Sequence, residues 1–168
     1  MNRRYGPPTI LLCGAAVGIF AACGAMGNPR PALPPAADFR DLERQVARLV
    51  NEHRQTRRLR RLTYDTALAR IARAHSVDMA EGRVSLGHGG FERRADAVER
   101  LKRFDAIAEN VALNDYARAR TVAIALRGWL GSAHHLQNIE GAYDVTGVGV
   151  ARARDGTFYY TQIFVARR

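Results

Sequence analysis

The order of periodic segments along the chain predicts an α+β domain: helical spacings come first, one strand pattern stands mid-chain, and two alternating runs joined by Asp155-Gly156 close it. A composition of 47% hydrophobic and 25% charged residues fits a body that buries one core. The 168 residues leave room for one ordinary domain and a leader.

The first helix is read from Phe39 to about Gln55, where Leu42, Val46, Leu49, Val50 and His53 recur at helical spacing behind Asp38 as N-cap. A short apolar-polar run, Leu59 to Tyr64, leads to Asp65 or Thr66 as the next cap. Leu68, Ile71, Ala72, His75 and Met79 then mark a second helix that ends near Gly82. Gly87-His88-Gly89-Gly90 is a loop by composition. A short helix from Arg93 to Arg103 and a strand from Ala106 to Leu113 follow. Tyr116 to Leu130 is helical, with Val122, Ala123, Leu126, Trp129 and Leu130 to one side, and Ser132 to Ile139 forms a helical turn. Val145 to Arg154 and Thr157 to Ala166 are the closing strands, and Asp-Gly between alternating runs is a strong hairpin signal. Trp129, Phe158 and Phe164 are expected in the core.

The N-terminal segment has a different character. Arg3 and Arg4 precede an uncharged, apolar or small stretch from Thr9 to Ala22, the pattern of a signal peptide over residues 1–22. Phe20-Ala21-Ala22-Cys23 resembles a bacterial lipobox, in which Cys23 would be lipidated and hold the protein to a membrane. Cleavage after a nearby alanine, or retention of the segment as an anchor, are the other outcomes this stretch allows. Residues 23–37, with Pro29, Pro31, Pro34 and Pro35, read as anchor and extended tether, and the domain occupies 38–168. Cys13 and Cys23 are the only cysteines, so the domain folds without disulfides. The expected location is exported: a periplasmic or outer-envelope lipoprotein, alternatively a secreted protein.

The formal net charge is +10, and Lys102 is the only lysine among the basic residues. Such a surface would favour anionic partners, but a solvated basic face is the preferred explanation of it. Arg57-Arg58-Leu59-Arg60-Arg61, the densest cluster, falls between two helices as an exposed connection. With no RNA-binding fingerprint, zinc-finger spacing or basic stripe with interleaved aromatics, no nucleic acid partner is expected. There is also no HExxH pair, no G-x-S-x-G elbow and no cysteine nucleophile in the domain.

Three positions could carry chemistry: His88 in its glycine-bracketed loop, Glu109 on a strand, and His135 at the start of a helical turn beside His134. Taken singly, each has a plain explanation as an exposed histidine, a solvent-facing glutamate or a helix-end charge.

Several ordered segments resemble the CAP superfamily of cysteine-rich secretory, antigen-five and pathogenesis-related proteins. Val50-Asn51-Glu52-His53-Arg54 with Leu62 resembles its opening helix, and Leu68 to Ser76 its second. His88 falls where the family places its first histidine, and Ile107 to Ala112 is similar to its Glu-Asn strand. Trp129 followed by Ser132 to Ile139 is similar to the W-x-x-S-P-G-H-x-x-N-[IL] of the bacterial branch, and Gly147 to Val150 with Tyr160 to Phe164 resemble its last strands.

The resemblance covers roughly residues 40 to 166. It implies a three-layer α-β-α sandwich with a small antiparallel sheet between the helices. It also implies a cleft holding His88, Glu109 and His135; His134, a departure from the family pattern, is a possible extra that could alter the site. Asn110, Asn138 and Gln162 are expected to support the cleft by hydrogen bonds. The family's second glutamate is absent, since Gly131 and Ser132 stand at its place, and Ala133-His134 replaces Pro-Gly. Two imidazoles and one carboxylate suffice for a weak site for a divalent metal such as zinc, the one cofactor expected, or for acid-base work.

The reading is a binding module in the cell envelope for a lipid, cell-wall or protein ligand. The alternatives are an envelope hydrolase using His88, Glu109 and His135 through an activated water, or a structural envelope protein.

Overall fold

The computed structural model describes residues 39–168. Asp38, the leader, Cys23 and the tether lie outside the described residues. Among the described residues, no helix is long and apolar enough to cross a membrane.

Nine elements follow one another. They are α1 (Arg40–Thr56), β1 (Thr63–Tyr64), α2 (Thr66–Ala80), α3 (Phe91–Leu101), β2 (Phe104–Asn114), α4 (Arg118–Leu130), α5 (Ala133–Glu140), β3 (Val145–Arg152) and β4 (Phe158–Arg167). The strands form one sheet in the order β1-β3-β4-β2. β3 and β4 form the expected hairpin, and β2 pairs with β4 so that Asn110 faces Gln162. The alternation of the strands sends one set of side chains to each face. Val148, Val150, Phe158, Tyr160 and Phe164 pack against α1 and α4, with Trp129 and Ile139 in the same cluster. Ile107, Val145, Ile163 and Val165 pack on the other face with Leu68 and Ala72 of α2 and Ala95 and Val98 of α3. This is the predicted α-β-α sandwich. Trp129, Phe158 and Phe164 are all fully buried, as expected.

The sheet departs from expectation in one respect: it is mixed. The Leu59 to Tyr64 run ends in β1, which lies parallel to β3. A parallel pair of two residues leaves no periodicity to read, because its partner lies some eighty residues away in the chain.

Side chains specified within the first helix hold this edge together. Asn51 donates to the Leu62 carbonyl at 2.9 Å and accepts from the Leu62 amide at 2.7 Å. Arg54, buried, donates to the carbonyls of Arg60, Ile139 and Gly141 at 2.8, 2.7 and 2.9 Å. Two of those carbonyls belong to the end of α5, where helix carbonyls lack intrahelical donors. Burial, opposed by Asp144 and Glu140, lowers the Arg54 pKa. The motif Asn51-Glu52-His53-Arg54 is thus read as architecture, joining α1 to β1 and to α5. Arg54→Lys, which cannot reproduce the planar fork, is expected to cost on the order of 2 kcal/mol in urea denaturation. A change below about 0.5 kcal/mol would show that the bonds are not needed.

The helix boundaries have local causes. Asp65 caps α2, accepting from the amides of Ala67 at 2.7 Å and Leu68 at 3.0 Å, and Lys102 pairs with the same carboxylate. Beyond α2, Gly82 takes a positive φ of 72° and its amide bonds to the Met79 carbonyl. α3 begins at Phe91 rather than Arg93, because Gly90 at φ 74° turns the chain straight from the loop into the helix.

Candidate functional site

The Gly87–Gly90 loop leaves α2 and enters α3, so His88 hangs over the sheet beside β2. His75, on the buried side of α2, fixes the loop: its Nε2 donates to the Gly87 carbonyl at 2.9 Å. Glu109 points from β2 to the same place, with only 2% of its side chain exposed. His88 Nδ1 donates to Glu109 Oε1 at 3.0 Å. This fixes the His88 tautomer with its proton on Nδ1 and leaves Nε2 as the free nitrogen.

A residue absent from the sequence expectations completes the cluster. Arg94, one turn into α3, grips Glu109 with both prongs, Nε to Oε2 and Nη2 to Oε1, each at 2.7 Å. Its Nη1 donates to the Gly89 carbonyl at 2.8 Å, tying the same loop down. Burial alone would raise the Glu109 carboxyl, but the hydrogen bonds from His88 and Arg94 and the charge of Arg94 hold it below its ordinary value. The carboxylate is therefore ionised and neutralised within the protein.

His135 enters from the first turn of α5 and is buried, with no hydrogen-bond partner for Nδ1. Burial lowers its pKa, and the charges of His88 and then His134 lower it further. His134 itself is exposed. Asn110 donates to the His135 carbonyl at 3.1 Å, and Asn138 donates to the Glu109 carbonyl at 3.2 Å and to Asn110 Oδ1 at 2.9 Å. These two asparagines weld α5 to β2 at the point where Glu109 emerges. Gln162 lies beside Asn110 in the sheet and donates to Thr146 Oγ1 at 3.0 Å, while its Oε1 has no partner.

The residues do not fit a metal centre as they stand. Both Glu109 oxygens are engaged, and among the described residues no group of three or more His, Cys, Asp or Glu side chains could hold a metal ion. Of the expected set, Glu109 and His88 meet, and Arg94 takes both oxygens of the carboxylate. The signal for Arg94 was faint: an arginine four residues after the glycine loop, whose reach depends on how α3 crosses β2.

Two histidines make stability depend on pH. Burial, then the charge of Arg94, outweigh the Gly87 carbonyl and the Glu109 and Asp78 charges to lower His75, and burial lowers His135. Unfolded, each would take a proton at about pH 6.5; folded, each resists to lower pH, so the unfolded state binds more protons and stability falls on acidification. Tm is expected to drop as the pH passes below the ordinary histidine range, and less steeply in His75→Gln. A wild-type Tm that is flat or rising on acidification would contradict this.

An α-β-α domain with a histidine–glutamate cleft between the loop after its second helix and its fifth helix has the architecture of the CAP superfamily. The chain matches the model of the cysteine-rich secretory protein family (CAP) over residues 47–164, and it belongs to that family. An uncharacterized membrane protein of Bacillus subtilis, YlbC, is 34% identical over 130 residues, covering 74% of this chain and 34% of that protein. The chain thus spans about a third of that relative's length. Among solved structures, an outer surface protein of Borrelia burgdorferi superimposes with a TM-score of 0.66 at 18% identity, covering 78% of this chain and 96% of its own. An extracellular SCP-domain protein of Bacillus anthracis gives 0.62 at 28% identity, with 82% of this chain and 45% of that one covered. A cysteine-rich secretory protein of Staphylococcus aureus gives 0.60 at 21%, over 76% and 39%.

Proposed function

We propose that the chain is an exported binding module of the cell envelope, held to a membrane through a lipid on Cys23, whose ligand, a lipid or cell-wall fragment, sits against His88 and His135. One observation carries the reading: the Glu109 carboxylate beside His88 is fully spent on Arg94 and His88. What remains open to a ligand is hydrogen-bonding capacity on a rigid frame, the requirement for recognition. The B. anthracis and B. burgdorferi relatives are described as extracellular and outer-surface proteins, which agrees with export.

The test is native mass spectrometry of the purified full chain, followed by binding to anionic vesicles and to peptidoglycan fragments. A co-purified ligand is expected, with occupancy falling about tenfold in His88→Ala and His135→Ala while the fold persists. Absence of any ligand, together with no binding to either surface, would sink the reading. The anchor is tested separately: labelled palmitate should enter the wild type and not Cys23→Ser.

A hydrolase remains the second reading, on the ground that Glu109 orients His88 with Nε2 free to take a proton. It requires peptidoglycan cleavage that disappears in His88→Ala.

A further inference from the structure

One end of the sheet gathers basic residues that lie far apart in the sequence. Thr63 pairs with Val145, Val145 with Val165, and Phe104 with Arg167, so the starts of β1, β3 and β2 and the finish of β4 lie side by side. The basic run between α1 and β1 leads into this end, Arg103 precedes β2, and Arg167 closes β4. Three arginines there have acidic partners: Arg57 has Glu140 at 3.0 Å, Arg60 has Asp144 at 3.8 Å, and Arg168 has Asp105 at 3.1 Å. Arg58, Arg61, Arg103 and Arg167 are exposed and, among the described residues, make no ion pair. Beside Arg103, Leu101 leaves 53% of its surface exposed.

The connection that carries Arg58 is held firmly. Arg54 donates to the Arg60 carbonyl, while the amides of Arg58 and Leu59 return to the carbonyls of Gln55 and Arg54 at 3.0 and 2.8 Å. That pair of bonds closes α1 in the motif whose left-handed position favours glycine. Arg58 occupies this position at φ 58°, the one non-glycine residue with a positive φ among the described residues. A side chain there costs stability. What it adds is a cation on a fixed support.

We propose that this end of the sandwich docks on an anionic phospholipid bilayer, with Arg58, Arg61, Arg103 and Arg167 on the head groups and Leu101 entering the interface. Arginines answer the phosphates, and an apolar side chain among them answers the acyl boundary. A soluble polyanion would gain nothing from Leu101. Phe39 packs on Phe158 at the other end of the sheet, and the 17 residues of α1 separate the two ends by about 25 Å. Residues 23–37 could span roughly 45 Å if extended, so a chain held at Cys23 could still lay this end on the same bilayer. The inference needs neither that lipid nor a ligand in the cleft.

The experiment uses the full chain carrying Cys23→Ser, which has no lipid under any reading. It is mixed with vesicles of phosphatidylcholine alone, and with vesicles containing about one third phosphatidylglycerol. The readout is the ratio of the two partition coefficients, in which any contribution of the N-terminal apolar segment cancels. A ratio of at least about 100 is expected, falling steeply as salt is added. Changing Arg58, Arg61, Arg103 and Arg167 together to Gln should lower it about 100-fold or more, at roughly fivefold per arginine. The same change at the exposed Arg70, Arg120, Arg127 and Arg154, equal in net charge, should leave it within about threefold. Leu101→Ser should weaken binding to the anionic vesicles about fivefold. Arg58→Gly should raise the urea midpoint, because glycine relieves the left-handed position, and still lower the ratio about fivefold. His88→Ala and His135→Ala, which empty the cleft, should keep the ratio, so failure of the cleft reading and failure of this one are told apart. A parent ratio near one would overturn the proposal, as would equal losses in the two fourfold variants. Soluble polyglycerol phosphate binding these arginines when the vesicles do not would make the occupant a polymer, and refute the bilayer. Should the basic-end fourfold variant fail to fold, Arg58→Gly decides: a lowered ratio supports docking, and an unchanged one refutes it.

Discussion

Gly149→Ala is expected to cost about 3 kcal/mol or more of stability and to lower the urea midpoint sharply. Helix α2 lies directly on the backbone of β3, and a Cβ at position 149 would stand 2.0 Å from the Arg73 amide nitrogen and 2.3 Å from the Ala72 carbonyl carbon. Gly147 meets the same helix one turn earlier, where a Cβ would fall 2.4 Å from the backbone of Leu68 and Ala69. These neighbours are main-chain atoms of a regular helix, so no side chain can swing aside. Relief requires lifting α2 off the sheet, which would uncover Leu68 and Ala72, both fully buried. Overpacking a core usually costs about 1–3 kcal/mol, and a clash with backbone belongs at or above the top of that range. Domains of this size hold only about 5–15 kcal/mol in total. Gly147→Ala should be similar, and the double variant should not fold. Gly128→Ala is the control: it is exposed on α4 with nothing within 4 Å of its Cβ, and should stabilise by about 0.5–1 kcal/mol. Urea titrations of the four variants against wild type check the order. A Gly149→Ala midpoint equal to wild type would mean that α2 does not sit where it is placed.

The glycines illustrate what sequence reading could and could not reach. Gly147-Val148-Gly149-Val150 reads as strand from its alternation, and the alternation itself puts both glycines on one face. That a helix lies flush on that face is a tertiary fact. The helices were legible because their apolar residues repeat, and the Asp65 cap and Asp155-Gly156 turn because those residues bond their own local backbone. β1 was not legible, since two residues carry no period. The candidate site divides along the same line. His88 and Glu109 were named from the sequence and do meet, and Asn110 and Asn138 do bind α5 to β2. Arg94 was missed because an arginine in an arginine-rich helix has no mark of its own until the helix is laid across the strand. One such contact leaves the Glu109 carboxylate neutralised within the protein.

Substituting Glu43 should have the next largest effect, through the other buried ion pair. β1 covers only the first part of the β3 edge, and the outward groups of Val148 and Val150 lie beyond it. A sheet edge with unpaired amides and carbonyls in the interior is costly. Here side chains take the place of the missing strand. Glu43 of α1, fully buried, accepts from the Val150 amide at 3.2 Å, and the Tyr64 hydroxyl lies 3.5 Å from the Val148 carbonyl and 3.4 Å from Glu43 Oε2. The charge is balanced from α2, where Arg73 donates through Nε at 2.6 Å and Nη2 at 2.5 Å. The Glu43 hydrogen bond raises the Arg73 pKa against the opposing effect of burial, while burial and the Glu43 charge push the Tyr64 hydroxyl up to about 12, so it remains a donor at any physiological pH. Glu43→Ala leaves a buried guanidinium, an amide and a hydroxyl without their acceptor, and breaking a buried pair from one side costs about 3–5 kcal/mol. Glu43→Gln keeps an acceptor for Val150 and should lose less. Arg73→Met should cost as much as Glu43→Ala, because the carboxylate is then the group left alone. Combining Arg73→Met with Glu43→Gln removes both charges, and should be less destabilising than the sum of the single changes by about 1–3 kcal/mol. Strict additivity in that cycle would show that the two side chains do not form the pair drawn here.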